Sequence, residues 1–216
     1  LIVDRQQVLS SVYSGAAWLA NDMWSPFDPG YPKDIPQREQ DLEQAKALLK
    51  QAGYDNNLTV ELVASDVDGE GAVPLSQVFS EQAKGAGVNV KVRKVDAGVK
   101  YGPSYPDWPF STEWWAYRNY LQQASISQLP DAPWNSSHWN DPKWTAIVKE
   151  ALQTADDAKR NELVAEAEAI DFADGGYITP TFRVALDAYS SKVAGFVVDA
   201  LGVPLGRYRF NQVQFK

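Results

Sequence analysis

The chain has 216 residues, 44% hydrophobic and 22% charged, a composition of one large folded domain or two small ones and not of a disordered segment. With no cysteine and one histidine, His138, it holds no disulfide, thiolate zinc site, thiol nucleophile or site needing two imidazoles, and neither metal nor cofactor is expected. Its net charge of −8 repels nucleic acid and anionic membranes, so neither is an expected partner.

No apolar run approaches the length of a membrane span. The chain opens at Leu1 with neither signal peptide nor initiator methionine, which reads as a mature product or an excised domain.

Residues 1–14 read as a helix, with Val3, Val8, Leu9 and Val12 at helical spacing and Gly15 as its stop. From Trp18 to Pro36 four prolines, Pro26, Pro29, Pro32 and Pro36, impose an irregular crossing. Asp41 then caps a helix with Leu42, Ala45, Leu48 and Leu49 on one face and Gly53 at its end. Residues 58–64 alternate as a strand, 75–85 form a helix, and 88–95 alternate again with Val88, Val90 and Val92 inward. That order predicts a βαβ unit with parallel strands.

Residues 101–140 carry ten of the 26 aromatic side chains but only four charges, Asp107, Glu113, Arg118 and Asp131. A strand over 110–117 is expected there, then irregular chain until Asp141-Pro142 opens a helix that runs to about Thr154. Asp156 or Asp157 caps the next helix, which ends at Gly175, and strands are expected over 177–185 and 194–198 before an irregular tail.

Several motifs have a plain reading. Asp66, Asp68 and Glu70 resemble half a calcium loop, but Gln77 stands where a bidentate acid is required and Pro74 interrupts, so a solvated acidic turn is expected. The glycine pairs at 69/71 and 85/87 lack the third glycine of a dinucleotide loop. Ser136-Ser137-His138 has no nucleophile elbow around it, and His138 reads as a polar loop residue. Glu113 with Asp131 or Asp107 could form a glycosidase pair beside Trp114 and Trp115. The aromatic block itself offers rigid contact area for a ligand or an interface, and Arg118 and Asn119 behind it offer polar groups that orient a ligand.

The order VDRQQVLSSVYSGAA, proline-rich crossing and DLEQAKALLKQAGY resembles the dipeptide, oligopeptide and nickel family (family 5) of extracellular solute-binding proteins. The likeness continues through GVNVKV, the segment from Asn135 to Trp144, the helix with Asp157 and Arg160, and GFVVDALG, and so covers nearly the whole chain. The resemblance implies a mixed α/β second lobe of a type II periplasmic-binding-protein-like fold, with helices flanking a mixed sheet. Residues 1–198 would be the C-terminal ligand-binding lobe and residues 199–216 a tail returning towards a first lobe.

It further implies a monomeric receptor without catalysis, placed in the periplasm or on the cell surface, secreted or lipid-anchored. It would capture a peptide or oligosaccharide by lobe closure for an ABC permease. Trp115, Tyr117 and Trp134 would wall the ligand, with Arg118 and Asn119 hydrogen-bonding it. Where peptide binders of the family carry an amine-anchoring aspartate, residues 115–119 hold no acid, and no arginine lies between Asp66 and Pro74 to hold a peptide carboxylate. Arg118 suits a carboxylate, a phosphate or sugar hydroxyls instead. The competing readings are a carbohydrate receptor of the same family, a glycoside hydrolase using Glu113, and a protein interface formed by the aromatic block.

Overall fold

Aspartates start most of the helices in the computed structural model, which describes residues 1–216 apart from 55, 56, 200 and 202. Asp4 accepts the Gln7 N–H at 2.9 Å and so begins α1 (Arg5–Tyr13), four residues later than periodicity alone places it. The reason is local: Asp4 has extended backbone, the conformation an N-cap needs. Ser14 and Gly15 then leave the helix in left-handed conformation. The strand β1 (Ala17–Leu19) follows, and the crossing after it is pinned by Asp22, which ion-pairs with Arg5 and Arg38 and accepts the Thr179 N–H at 2.8 Å.

Asp41 caps α2 (Leu42–Gln51) through the Gln44 N–H. The predicted βαβ unit is present as β2 (Leu58–Ala64), α3 (Ala72–Lys84) and β3 (Val88–Lys94), with β2 and β3 parallel in register from Leu58↔Val88 to Ala64↔Lys94. Leu62, Ala83, Val88 and Val90 form its buried core, with Phe79 and Phe110 packed against it. The helix α3 begins three residues before the expected Leu75, because Pro74 falls in its first turn, where no N–H is needed.

After the short α4 (Ala97–Lys100) the expected strand over 110–117 shrinks to one bridge, Ser111 beside Val63 of β2. Pairing stops there because the Trp114 N–H turns to the Glu113 carboxylate at 3.2 Å instead of to a neighbouring strand. A helix not expected from the sequence follows, α5 (Tyr120–Ser127), capped by Asn119. Its buried face is Tyr120, Gln123, Ala124 and Ser127, at helical spacing but half polar, which hides it from a hydrophobicity reading. Asp141 and Asp156 cap α6 (Pro142–Gln153) and α7 (Asp157–Asp174). These three helices share the second core, built on Tyr120, Trp144, Ile147, Val148, Leu163 and Val164.

The strand expected over 177–185 is only β4 (Thr181–Arg183), limited by the three residues of its antiparallel partner β1. That expected over 194–198 is β5 (Val193–Ala194), paired with β6 (Gln214–Phe215) beyond the one-turn α8 (Pro204–Arg207). Ala200 and Gly202 of the GFVVDALG match lie outside the described residues. The mixed α/β class holds, and among the described residues its strands fall into three two-stranded sheets.

Candidate ligand-binding face

Residues 111–119 leave the edge of β2 as an irregular strip. Asp68, read from the sequence as part of a solvated turn, is only 3% exposed. It accepts hydrogen bonds from the hydroxyls of Thr112 and Tyr101, the latter at 2.6 Å. The Tyr101 oxygen also lies 3.0 Å from Glu113, whose second carboxylate oxygen accepts from Tyr105. One phenol with one proton therefore stands between two carboxylates, and a cation is needed nearby.

Lys100 supplies it. Its ammonium is fully buried, 3.0 Å from the Ser111 hydroxyl and 5.5 Å from the ring centroids of Tyr101 and Tyr105. Burial lowers the Lys100 pKa, and the charges of Asp68 and Glu113 oppose that shift. Burial raises both tyrosines, with Asp68 and Glu113 adding to the shift of Tyr101 and Glu113 to that of Tyr105, so their hydroxyls stay protonated donors. Glu113 thus shares a hydrogen-bond partner with Asp68, and not the pairing with Asp131 or Asp107 that a glycosidase reading proposes.

Next along the strip, Trp114 is 44% exposed and carries the Arg183 guanidinium 5.7 Å over its ring. Trp115 is half-buried beneath the Arg118 guanidinium at 5.1 Å, and its indole N–H is shielded from solvent without a partner. Tyr117 packs edge-on against Phe27 at 5.5 Å, and Phe27 against Trp18 at 5.4 Å, giving a line of rings that ends in an exposed indole. The Tyr117 hydroxyl lies 3.4 Å from Asp28, which also accepts the Tyr120 N–H at 2.6 Å. Ser25 donates to the Arg118 carbonyl at 2.7 Å and so ties the strip to the proline-rich crossing.

Of the five residues expected at the ligand, Trp115, Tyr117, Arg118 and Asn119 are brought together here. Asn119 spends its side-chain oxygen on capping α5 through the Gln122 N–H. Trp134 stands apart, 45% exposed and edge-on to Tyr105 at 5.4 Å, and joins the strip through the Glu113 network. His138 is exposed and donates its Nε2–H to the Pro106 carbonyl, while the Ser137 hydroxyl goes to Asn135, so hydroxyl and imidazole do not meet. No local pattern ties Asp68, Lys100, Tyr101, Tyr105 and Arg183 to the strip, because they reach it from other elements of the chain.

Among the described residues no group of three or more His, Asp or Glu side chains is placed to hold a metal, and no helix is long and apolar enough to cross a membrane. Exposed indoles, stacked guanidinium groups and a braced carboxylate thus share one face of a mixed α/β scaffold. The chain belongs to the bacterial extracellular solute-binding proteins, family 5, whose middle-region family model matches residues 1–132.

It is 24% identical to the dipeptide-binding protein of Escherichia coli K12 over 99% of this chain and 41% of that protein. The nickel-binding protein NikA of Staphylococcus aureus is 24% identical over 96% of the chain and 43% of its own length. The chain therefore spans about two fifths of the length of the curated relatives it matches. Its fold matches that of HbpA2 from Haemophilus parasuis with a TM-score of 0.77 at 24% identity, covering 100% of this chain and 43% of the other. NikZ from Campylobacter jejuni matches with a TM-score of 0.79 at 16% identity, over 99% and 46% of the two chains. The fold is that of type II periplasmic binding proteins.

Proposed function

We propose that residues 1–198 form the C-terminal ligand-binding lobe of an ABC importer's solute receptor, that residues 199–216 return towards the first lobe, and that the ligand is an oligopeptide or a similar polar oligomer enclosed between the two. The observation that carries this reading is the strip itself, with Trp115 and Tyr117 as contact area, Arg118 held over an indole, Trp114 exposed within it, and exposed Trp134 linked to it through Tyr105. Family membership supports it, as does the breadth of relatives named for dipeptides, tripeptides and oligopeptides. The receptor would work as a monomer outside the cytoplasmic membrane, secreted or lipid-anchored, and deliver its ligand to a permease without chemical change. Each ring stacked on the ligand would contribute about 0.5–1.5 kcal/mol.

The test is intrinsic tryptophan fluorescence of the full-length protein, titrated with pooled tri- to pentapeptides and, separately, with pooled neutral oligosaccharides. A saturable response to peptides supports the reading. A response to oligosaccharides alone moves the protein to carbohydrate capture, and turnover of those oligosaccharides that is lost on Glu113→Gln would make it a hydrolase.

A further inference from the structure

One group of titratable side chains lies outside the strip and is yet hydrogen-bonded to both segments that hold it. Glu168 and Asp171 stand one turn apart on the inward face of α7, both buried. The Glu168 carboxyl accepts the Trp24 N–H at 3.0 Å, and its other oxygen is buried without a partner. Asp171 accepts from the Tyr120 hydroxyl at 2.6 Å and from Gln128 at 3.1 Å.

From these acids the bonds run on to the strip by two routes. Next to Trp24, the Ser25 hydroxyl donates to the Arg118 carbonyl at 2.7 Å, and the Asp28 N–H donates to the Ser25 carbonyl at 2.9 Å. Tyr120 opens α5 directly behind the strip, and its N–H donates at 2.6 Å to Asp28, the acid that the Tyr117 hydroxyl approaches. The proline-rich crossing and the start of α5 are thus both fixed to α7 through this pair, and both fix residues 117–118.

The groups facing the pair bring no positive charge to it. They are Tyr120, Gln128 and Trp144 from α5 and α6, and Trp24, Asp28 and Tyr31 from the crossing. A cleft lined by Arg5, Asp22, Arg38 and Asp174 also reaches Asp171, but both of its arginines are ion-paired with Asp22. Burial raises all three acids, Asp171 to about 7 and Glu168 well above the usual carboxylate range. Once the pair loses its protons, two negative charges one turn apart face each other and Asp28 without a counterion. Relief requires water to enter, and water entering there parts α7 from the segments bonded to it.

We infer that Glu168 and Asp171 are positioning residues of the strip, holding Tyr117 and Arg118 in place through Trp24 and Tyr120, and that proton release from the pair loosens that hold and weakens ligand capture. The effect on affinity rests on the reading of the strip as a ligand surface. Neither acid touches ligand.

The experiment uses the full-length protein and two readouts between pH 6 and pH 9. One is hydrogen exchange in residues 22–31 and 113–121, corrected for the intrinsic pH dependence of exchange. The other is affinity for pooled tri- to pentapeptides, read by tryptophan fluorescence. Wild-type protein should lose protection in both segments by about tenfold as pH rises. Affinity should fall by about 3- to 30-fold, within the limit of about tenfold per pH unit for each proton released. Glu168→Gln combined with Asp171→Asn carries neutral groups at every pH and should abolish both changes. Should that double variant not fold, Glu168→Gln alone should reduce them. Protection or peptide affinity that stays constant with pH in the wild type, or a fall that survives unchanged in the variants, overturns the positioning role. A protein that binds no peptide overturns the peptide reading, and hydrogen exchange then decides the positioning role by itself.

Discussion

Carboxylates held by tyrosine hydroxyls occur in two regions of this molecule, and the two are neutralised in opposite ways. In the helical core Asp171 accepts from Tyr120 at 2.6 Å and from Gln128 at 3.1 Å, and Trp144 donates its indole N–H to Tyr120 at 2.9 Å. Among the described residues no cation lies within salt-bridge distance of this group, and Glu168, fully buried one helical turn away, leaves one oxygen without a partner. Burial pushes Asp171 up to about 7 and Glu168 well above the usual carboxylate range, so protons do the neutralising. Beside the strip, Asp68 and Glu113 are instead balanced by the Lys100 ammonium. A proton suits a sealed interior, whereas a buried cation suits acids that lie next to a surface that meets solvent.

The largest expected effect is in the sealed region. Trp144→Ala empties the centre of the helical core and removes the donor to Tyr120, and should cost about 3–5 kcal/mol in chemical denaturation. If the variant loses less than about 1 kcal/mol, Trp144 is not the keystone of that core. At the strip, Lys100→Met keeps the volume but leaves Asp68 and Glu113 without their cation, and a loss of about 2–3 kcal/mol is expected. Replacing Asp68 and Glu113 by Asn and Gln in the same chain should recover much of it, which a double-mutant cycle would read.

Titration separates the regions further. Asp171 and Glu168 hold protons in the folded chain that the unfolded chain releases in the ordinary carboxylate range. Their contribution is therefore complete at low pH and declines as pH rises towards about 7, where Asp171 titrates in the folded chain, with a slope of up to about 1.4 kcal/mol per pH unit for each group. Denaturation midpoints measured between pH 4.5 and 8 should fall across that window, and Asp171→Asn should flatten the fall. A smaller effect is expected of Tyr117→Phe. The 3.4 Å contact of its hydroxyl with Asp28 is long, so stability should change by less than about 0.5 kcal/mol, and ligand affinity should be more sensitive to Tyr117→Ala, which removes the ring.

Legibility in the sequence followed the range of the forces involved. The caps at Asp41, Asp141 and Asp156 were readable because each acts on a backbone N–H three residues away. The β2–α3–β3 unit was readable because alternation and helical spacing are local patterns, and the family motif in residues 41–54 lies on α2, which has the same kind of pattern. By contrast α5 escaped notice because Gln123 and Ser127 stand in its buried stripe, satisfying each other by a hydrogen bond of 2.7 Å. The strand expected over 110–117 assumed a partner along its whole length, and β2 provides one for a single residue pair.

What the sequence determined by itself was therefore the element order, the mixed α/β class, the family, and a strip of aromatic and polar residues at 115–119 as the place to look for a ligand. The tertiary structure decided which charges face that strip. Asp68 was turned inward, Lys100 was buried between two acids, and Arg183 was carried over Gly69 to the adjacent indole by a strand pairing between residues more than 160 positions apart. Such a pairing leaves no trace in local spacing, because it is the closure of the whole chain that brings β4 to β1.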